Sequence, residues 1–330
     1  MRPRHEPEPS EPDPAGQAAA RRSWTAAELM AARFPDPCWA VPGLIAEGVV
    51  LLAGPPKIGK SWLTLGLAEA IASGGTALGS IQVERGAVLY LALEDTARRL
   101  QGRLRKLLAG RPAPDTLTLV TTCPPFAQGG DELVTHWLDR HPTARMVVID
   151  VFAKMRGPAP PGVSAYEADY AAITRVKRIA DRYGIAVVLV HHVRKAASDD
   201  FLAEISGTNG LAGAADSILV LKRPRGTADG LLHITGRDVD EAERALAFQP
   251  AAGAWQLLEG PAIDHIVGDT RAVVLRFVRE HPRVRPKDIA TALDLDDSLV
   301  RRTCARMAEA GQLTKDGAGR YAVAGEVGQP

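Results

Sequence analysis

The segment from Gly54 to Ser61 constrains this chain more than any other, because it fits the pattern G-x-x-x-x-G-K-[ST]. An apolar run, Val49–Ala53, precedes it, and a helix-like segment begins near Lys60. Glycines let such a loop wrap a phosphate with its N–H groups inward, and the following helix presents its positive dipole end. The expected nucleotide-binding residues are Gly54, Pro55, Pro56, Lys57, Ile58, Gly59, Lys60, Ser61 and, directly after the loop, Trp62.

Two residues of this loop have an expected partner on a bound nucleotide. Lys60 should reach the β- and γ-phosphates of ATP, and the hydroxyl of Ser61 should bind Mg²⁺. The chain contains 31 glycines, so a chance match is the alternative. A strand before the loop and a helix after it favour a nucleotide site over that alternative.

The first two-thirds of the chain alternates apolar runs of strand length with segments of helix length. The predicted strands are Val49–Ala53, Ala87–Leu93, Leu117–Thr121, Met146–Asp150, Ile185–His191 and Ile218–Lys222. The predicted helices are Lys60–Ser73, Thr96–Ala109, Asp131–Arg140 and Ala165–Tyr183. This alternation is typical of a mainly parallel sheet covered by helices on both faces. The sequence therefore predicts an α/β fold.

Two further units follow the alternating pattern. Closely spaced strands, Gly230–Thr235, Arg244–Gln249 and Ala254–Leu258, predict an antiparallel extension of the sheet. The pattern then gives a first domain over 23–260, a linker over 261–268, a second domain over 269–325 and a tail over 326–330. The second domain should contain helices Thr270–Glu280, Pro286–Leu293 and Ser298–Ala310 and a hairpin Leu313–Val323. Three helices and a hairpin are the plan of a winged helix.

The N-terminus and the composition add limits. Residues 1–22 are rich in proline and acid and predict a disordered tail, after which Ser23 should cap a short helix, Trp24–Arg33. No run approaches the roughly 20 apolar residues of a membrane span. The three cysteines match neither a zinc site nor a disulfide framework. A cytoplasmic protein without a membrane partner is expected. Because the net charge is only +1, any basic surface must be confined to one part of the molecule.

Acidic residues end two of the apolar strands. Asp150 closes the run Met146–Asp150, where a buried strand would deliver a carboxylate to Mg²⁺ beside the phosphate loop. Glu94 closes another such run and is the candidate that orients and polarises the attacking water. For Asp150 the alternative is an ordinary strand-end cap. Asp95 is explained as the N-cap of the next helix.

Two histidines, His191 and His192, stand at the tip of a further strand. Successive side chains of a strand point to opposite faces, so both imidazoles cannot enter one site. One of them is expected to sense the γ-phosphate and the other to be structural. We favour His192 for the first role.

Several of these motifs, in this order, resemble the hexameric replicative helicases of the RecA superfamily, and in particular plasmid RepA-type helicases and their "AAA family ATPase" relatives. They are the phosphate loop, Glu94, Asp150, His191-His192 with Arg194-Lys195, and Ser206-Gly207-Thr208 through Asp216. The resemblance covers about residues 38 to 250. It implies a RecA-like ATPase core, ATP and Mg²⁺ as cofactors, and a homo-oligomer that forms a ring or filament.

The resemblance also implies that the nucleotide lies between subunits and that a neighbour's basic residue completes the site. Arg237 follows a late strand in the matching place and is the candidate arginine finger, with Arg223 and Arg225 as alternatives. An Arg237 that is merely paired with Asp238 is the other interpretation. DNA unwinding is implied by the resemblance alone, whereas ATP hydrolysis is inferred from the residues.

The last predicted helix offers a candidate DNA-binding face. If Val300, Cys304 and Met307 face the core of the domain, three arginines on the same helix face solvent. The candidate phosphate contacts, with one more arginine on the hairpin, are Arg301, Arg302, Arg306 and Arg320. A protein-binding winged helix with a solvated basic face is the alternative.

Three functions remain open on the sequence. The first is an ATP-driven motor on DNA, and the second is a regulatory switch in which ATP binding with little turnover controls DNA binding. The third is a small-molecule kinase, which would need an acceptor pocket with a lid; such kinases usually lack a strand-terminal glutamate at the position of Glu94. The motor is the leading hypothesis.

Overall fold

The computed structural model describes residues 23–159, 161–193, 209–223, 229–260 and 262–324. Several predictions lie outside these ranges. They concern the tails 1–22 and 326–330, Arg194, Lys195, Ser206–Thr208 and Arg225.

The described residues form an α/β structure whose elements are numbered in chain order. The strands are β1 Trp39–Val41, β2 Ile45–Ala46, β3 Gly48–Gly54, β4 Thr76–Ala77, β5 Ile81–Gln82, β6 Ala87–Ala92, β7 Leu117–Val120, β8 Ala144–Asp150, β9 Ala186–His192, β10 Ser217–Lys222, β11 Asp229–Gly236, β12 Ala242–Gln249, β13 Ala254–Leu257, β14 Leu313–Lys315 and β15 Tyr321–Val323. The helices are α1 Ala26–Ala31, α2 Lys60–Ser73, α3 Ala97–Leu108, α4 Gly130–Arg140, α5 Phe152–Arg156, α6 Ala165–Tyr183, α7 Asn209–Ala214, α8 Ala262–Glu280, α9 Pro286–Leu293 and α10 Asp297–Glu309.

Nine strands form the central sheet in the order β13-β12-β11-β10-β3-β9-β8-β6-β7. The six from β10 to β7 are parallel, and β11, β12 and β13 extend the sheet antiparallel beyond β10. The predicted α/β class and the predicted antiparallel extension are both confirmed. Because β3, β9, β8 and β6 are parallel neighbours, their carboxyl ends meet at one edge of the sheet.

The sheet has a hydrophobic core on each face. Along β3, Val50 and Leu52 belong to the core that α2 and α3 cover, whereas Val49 and Leu51 belong to the core that α4 and α6 cover. Strand side chains alternate between faces, so a central strand buried on both sides must be apolar throughout. This burial explains the unbroken apolar runs of the sequence and holds the strand ends of the site rigid.

Two local features differ from the sequence predictions. The first helix is shorter than Trp24–Arg33, and its N-cap is Thr25 rather than Ser23, because Thr25 and Glu28 form a reciprocal capping box. The hairpins β1–β2 and β4–β5 were not predicted, since strands of two or three residues are too short to show periodicity.

The C-terminal part consists of α8, α9 and α10 with the antiparallel pair β14–β15 around its own core. Val300, Cys304 and Met307 are fully buried there, as predicted. The linker predicted at 261–268 is wrong, because α8 begins at Ala262. The Gly and Pro content suggested a break, but the apolar spacing of Ile263, Ile266 and Val267 continues the helical period, and a proline is tolerated just before a helix.

Candidate functional site

The phosphate loop leaves the carboxyl end of β3 and enters α2. Gly54 has φ +153, and a Cβ there would lie 2.5 Å from the carbonyl oxygen of Leu221, so only glycine fits. Gly59, at φ +108, is the N-cap of α2 and provides no side-chain cap. The first N–H groups of α2 therefore remain available to an anion. The predicted strand–loop–helix geometry is present.

Lys60 is buried against its own loop. Its Nζ donates to the carbonyl oxygens of Gly54 at 2.7 Å and Pro55 at 2.8 Å, and it lies 3.1 Å from Nδ1 of His192. Burial lowers the pKa of Lys60 to about 8, although the nearby carboxylates of Asp150 and Glu94 oppose the shift. The amine must leave these carbonyls to reach a bound phosphate.

Asp150, at the carboxyl end of β8, lies beside Ser61. Burial raises the pKa of Asp150, and hydrogen bonds from Ser61 and Tyr90 oppose the rise. A buried carboxylate next to a hydroxyl gives the oxygen ligands that Mg²⁺ prefers. Ser61 and Asp150 are thus placed together as the sequence predicted, and they fit a magnesium ion.

Glu94 lies at the mouth of the same cleft. Its Oε2 is 3.6 Å from Nε2 of His192, and the side chains of Glu94 and His192 are 51% and 41% exposed. The cleft of about 150 Å³ is lined by Ser61, Ala92, Glu94, Asp95, Arg99, Arg103 and Asp150. A carboxylate that faces a cleft next to the phosphate loop can orient a water molecule there.

Asp95 does not cap the next helix, contrary to the sequence interpretation. The N-cap of α3 is Thr96, whose hydroxyl accepts from the N–H of Arg99. The side chain of Asp95 is only 8% exposed and forms ion pairs with Arg99 at 2.7 Å and Arg103 at 2.6 Å. Asp95 therefore anchors the turn that carries Glu94, and Arg99 also donates to the carbonyl oxygen of Glu94 at 2.8 Å.

The two histidines occupy different surroundings, as strand alternation requires. His192 contacts Lys60 and Glu94 inside the site. Burial lowers the pKa of His191, and its charged neighbours include Asp169, which forms an ion pair with Arg156 at 2.6 Å. Of the pair, only His192 is placed against the phosphate loop.

Arg237 lies at the other end of the sheet from the phosphate loop. Its Nη1 is 3.3 Å from Asp216, not paired with Asp238 as the alternative interpretation supposed. Ser217, next to Asp216, pairs with Val50 of β3, four residues before Gly54, which is roughly 13 Å along the strand. Arg237 thus does not enter the site of its own chain.

Arg223, by contrast, lies at the same edge as the loop. Its guanidinium stacks 5.1 Å from the ring of Phe248 and 5.3 Å from that of Trp255. Trp255 in turn donates from Nε1 to the carbonyl oxygen of Gly59 at 3.1 Å. Trp62, predicted as part of the nucleotide site, packs against Phe248 and under Arg103. These side chains support the loop from outside.

Sequence reasoning missed two supporting residues, Tyr90 and Trp255. The signal for Tyr90 was present: it is the one polar aromatic in the run that leads to Glu94, and residues 90, 92 and 94 share a face of the strand. No local signal marked Trp255, which reaches the loop from 196 positions away.

The four arginines of the candidate DNA-binding face are exposed. Arg301 pairs with Asp297 of the same helix at 2.8 Å, and Arg302 lies 3.5 Å from the hydroxyl of Ser298. Arg320 lies in the turn between β14 and β15, where its N–H is bonded to Asp316.

Among the helices described, none is long and apolar enough to cross a membrane.

Comparisons with known proteins agree with this geometry. The model of a family described as the AAA domain (AAA_25) matches residues 14–198, more than half of the chain. A solved structure of the ATPase domain of another protein is similar, with a TM-score of 0.53 and 16% identity over 64% of this chain and 85% of that one.

Two other solved structures are similar at comparable identity. "The Structure Of A DnaB-Like Replicative Helicase And Its Interactions With Primase" has a TM-score of 0.51 and 16% identity, and the match spans 64% of this chain and 59% of that one. "Crystal structure of the RadB recombinase" has a TM-score of 0.45 and 17% identity over 66% and 92% of the two chains. The two matches above 0.5 identify the core fold. This chain therefore belongs to the AAA domain family, and its core has the fold of the RecA-superfamily P-loop ATPases.

Proposed function

We propose that this chain is a Mg²⁺-dependent ATP hydrolase that acts on DNA as a RepA-like hexameric motor, with nucleotide sites at subunit interfaces. The observation that carries the proposal is that Asp150 and Glu94 line one cleft at the phosphate loop and both lie near the amine of Lys60. These three side chains supply the cation, the metal-side carboxylate and the water-orienting carboxylate that hydrolysis needs.

Each group has a defined task in this account. The loop N–H groups and Lys60 bind the phosphates, and Ser61 with Asp150 holds the metal. A Mg²⁺ ion held there would neutralise negative charge on the phosphates. Glu94 orients the attacking water and accepts its proton. His192 contacts Lys60 in the free protein and senses the γ-phosphate when the amine moves from the imidazole to the phosphates.

The open side of the cleft supports a site completed by a neighbour. Glu94 and His192 are about half exposed there, and the nearby Arg99 and Arg103 are held by Asp95. Charge that develops during phosphoryl transfer must be stabilised from this side. We assign that role to Arg237 of an adjacent subunit, because its side chain is 62% exposed and lies far from its own phosphate loop.

The C-terminal part supports the DNA assignment as a winged helix. Its exposed arginines on α10 and on the β14–β15 turn give it a local basic surface, although the whole chain has a net charge of only +1. Arginines that contact phosphates provide affinity without reading sequence. We expect DNA binding of low sequence specificity that weakens as salt concentration rises.

The test is steady-state ATP hydrolysis with and without single-stranded DNA, with the oligomer mass recorded in parallel. A DNA-stimulated hexamer is the expected result. The double variant Arg302→Glu/Arg306→Glu should lose the stimulation, whereas the charge-matched control Arg85→Glu/Arg182→Glu should keep it. ATP binding with negligible turnover under every condition would contradict the motor and favour the ATP-controlled switch.

A further inference from the structure

Tyr90 connects the two sides of the candidate metal site. Its hydroxyl donates to Oδ2 of Asp150 at 2.9 Å and lies 2.8 Å from Oγ1 of Thr64 on α2. The ring is only 1% exposed and packs in the core between the sheet and α2. The phenol oxygen is therefore held at a fixed point between the carboxylate and the helix that follows the phosphate loop.

The available hydroxyl protons set the direction of the two hydrogen bonds among Thr64, Tyr90 and Asp150. An ionised carboxylate can only accept hydrogen bonds, so the single hydroxyl proton of Tyr90 goes to Asp150. The oxygen of Tyr90 is then left to accept from Thr64, whose hydroxyl also lies 3.2 Å from the carbonyl oxygen of Lys60. Burial raises the pKa of Tyr90 well above its usual value, which keeps the phenol protonated for this role. The order of donation is Thr64 to Tyr90 to Asp150.

Two hydroxyl groups lie beside the Asp150 carboxylate. Tyr90 donates to Oδ2 of Asp150, and Ser61 is close enough to oppose the rise in the pKa of the carboxyl. A carboxylate free to rotate would lose this alignment. Partners that orient a metal ligand in this way commonly govern metal affinity.

We infer that Tyr90 is a positioning residue that holds Asp150 in the orientation needed to bind Mg²⁺ with the nucleotide, and that Thr64 holds Tyr90. This inference rests on the proposed function, because Asp150 is a metal ligand only if the cleft binds Mg²⁺ and a nucleotide. It predicts a defect in the metal-dependent part of nucleotide binding and not in the metal-free part.

The experiment measures the dissociation constant of a fluorescent ADP analogue for the full chain, once in Mg²⁺ and once in EDTA. The ratio of the two constants is the affinity gained from the metal. Tyr90→Phe removes one oxygen and keeps the packed ring. We expect it to bind in EDTA within about two-fold of wild type and to lose roughly ten-fold of the gain from Mg²⁺.

The matched control is Tyr183→Phe, because the hydroxyl of Tyr183 also bonds an aspartate, Asp139, but far from the phosphate loop. It should keep the whole gain. Thr64→Val should lose part of the gain, by about two- to five-fold, since it removes the donor to Tyr90. If Tyr90→Phe does not fold, Thr64→Val takes its place as the test of the role of Tyr90.

Two results separate the inference from its foundation. An unchanged gain in Tyr90→Phe, or in Thr64→Val if that is the variant that folds, would overturn the role of Tyr90. This includes an equal loss of binding in Mg²⁺ and in EDTA, because the defect would then lie in the loop rather than in the carboxylate. A wild-type protein without any gain from Mg²⁺ would instead refute the proposed magnesium site.

Discussion

Nζ of Lys60 lies 3.1 Å from Nδ1 of His192, whose Nε2 lies 3.6 Å from the carboxylate of Glu94. The imidazole thus connects the amine that must bind phosphate to the carboxylate that we expect to orient water. Lys60 also donates to two carbonyl oxygens of its own loop. A bound phosphate would replace these three contacts, so nucleotide binding changes the surroundings of His192 and Glu94 directly.

The lowered pKa of Lys60 predicts a pH dependence of nucleotide binding. With a pKa of about 8 in the free protein, the amine is charged at pH 7 and loses its proton above pH 8. Phosphate binding requires the charged form. The dissociation constant for ATP should therefore be nearly constant up to about pH 7, be roughly doubled at pH 8, and rise above that, approaching ten-fold per pH unit.

The sign for stability is the reverse of that for binding. The pKa of Lys60 in the folded protein is below the unfolded value of 10.5, so the charged amine lowers the free energy of unfolding of the nucleotide-free protein below pH 8. As the pH rises from 8 to 10.5 the buried amine loses its proton, and the free energy of unfolding recovers. Binding measurements between pH 7 and 9.5 check the prediction. Lys60→Arg, whose side chain stays charged, should bind more weakly at pH 7 but without the rise, and an identical rise in that variant would refute the assignment.

Asp95 should affect turnover more than nucleotide binding. Asp95→Asn weakens both ion pairs with Arg99 and Arg103 and loosens the turn that carries Glu94. We expect a loss of about ten-fold in kcat and of ~1–3 kcal/mol in the free energy of unfolding, with ATP affinity within about two-fold. Kinetics and denaturant titration check these values.

The control for this prediction is Asp115→Asn, which breaks the exposed pair with Arg85 and should change neither quantity. Equal kcat values for Asp95→Asn and wild type would show that the Glu94 turn does not depend on its anchor.

Trp255 should matter for nucleotide affinity. Trp255→Phe removes the donor to the carbonyl oxygen of Gly59 and should weaken ATP binding by about five-fold, the equivalent of one hydrogen bond. Gly59→Ala should have a larger effect, because its Cβ would lie 2.9 Å from the Trp255 ring at φ +108. Isothermal titration measures both.

Gly110→Ala is the matched control for Gly59→Ala. Gly110 also has a positive φ, +88, but a Cβ there meets nothing within 4 Å. Its alanine variant should cost about 1 kcal/mol of stability and leave ATP affinity unchanged. Equal binding defects in the two variants would mean that backbone strain alone, and not the contact with Trp255, explains the result.

The interface assignment of Arg237 predicts complementation between defective subunits. Arg237→Ala keeps an intact phosphate loop, and Lys60→Ala keeps an intact Arg237, so a mixed oligomer contains some complete sites. Each variant alone should be inactive, and mixing should restore part of the turnover. Arg223→Ala, tested in the same way, distinguishes the alternative arginine. Full activity of an isolated monomer would contradict any finger supplied by a neighbour.

The parts of the structure that were predictable are those with a strong local cause. The phosphate loop is encoded by a fixed spacing of glycines, and the strands that deliver Glu94 and Asp150 are encoded by apolar runs buried on both faces, Ala87–Ala92 and Met146–Asp150. Trp255 could not be predicted, because its contact with Gly59 depends on how the antiparallel strands fold back along the sheet. The start of α8 was missed because a Gly- and Pro-containing stretch was given more weight than the apolar period.

The most direct test of the account compares Glu94→Gln with wild type in two assays, ATP binding and ATP hydrolysis. We predict that Glu94→Gln binds ATP within about three-fold of wild type and that its turnover is reduced at least about 100-fold, since the amide keeps the shape of the side chain but cannot accept a proton. Glu132→Gln, an exposed acid on α4, is the control and should behave as wild type. Turnover retained by Glu94→Gln would contradict the catalytic assignment.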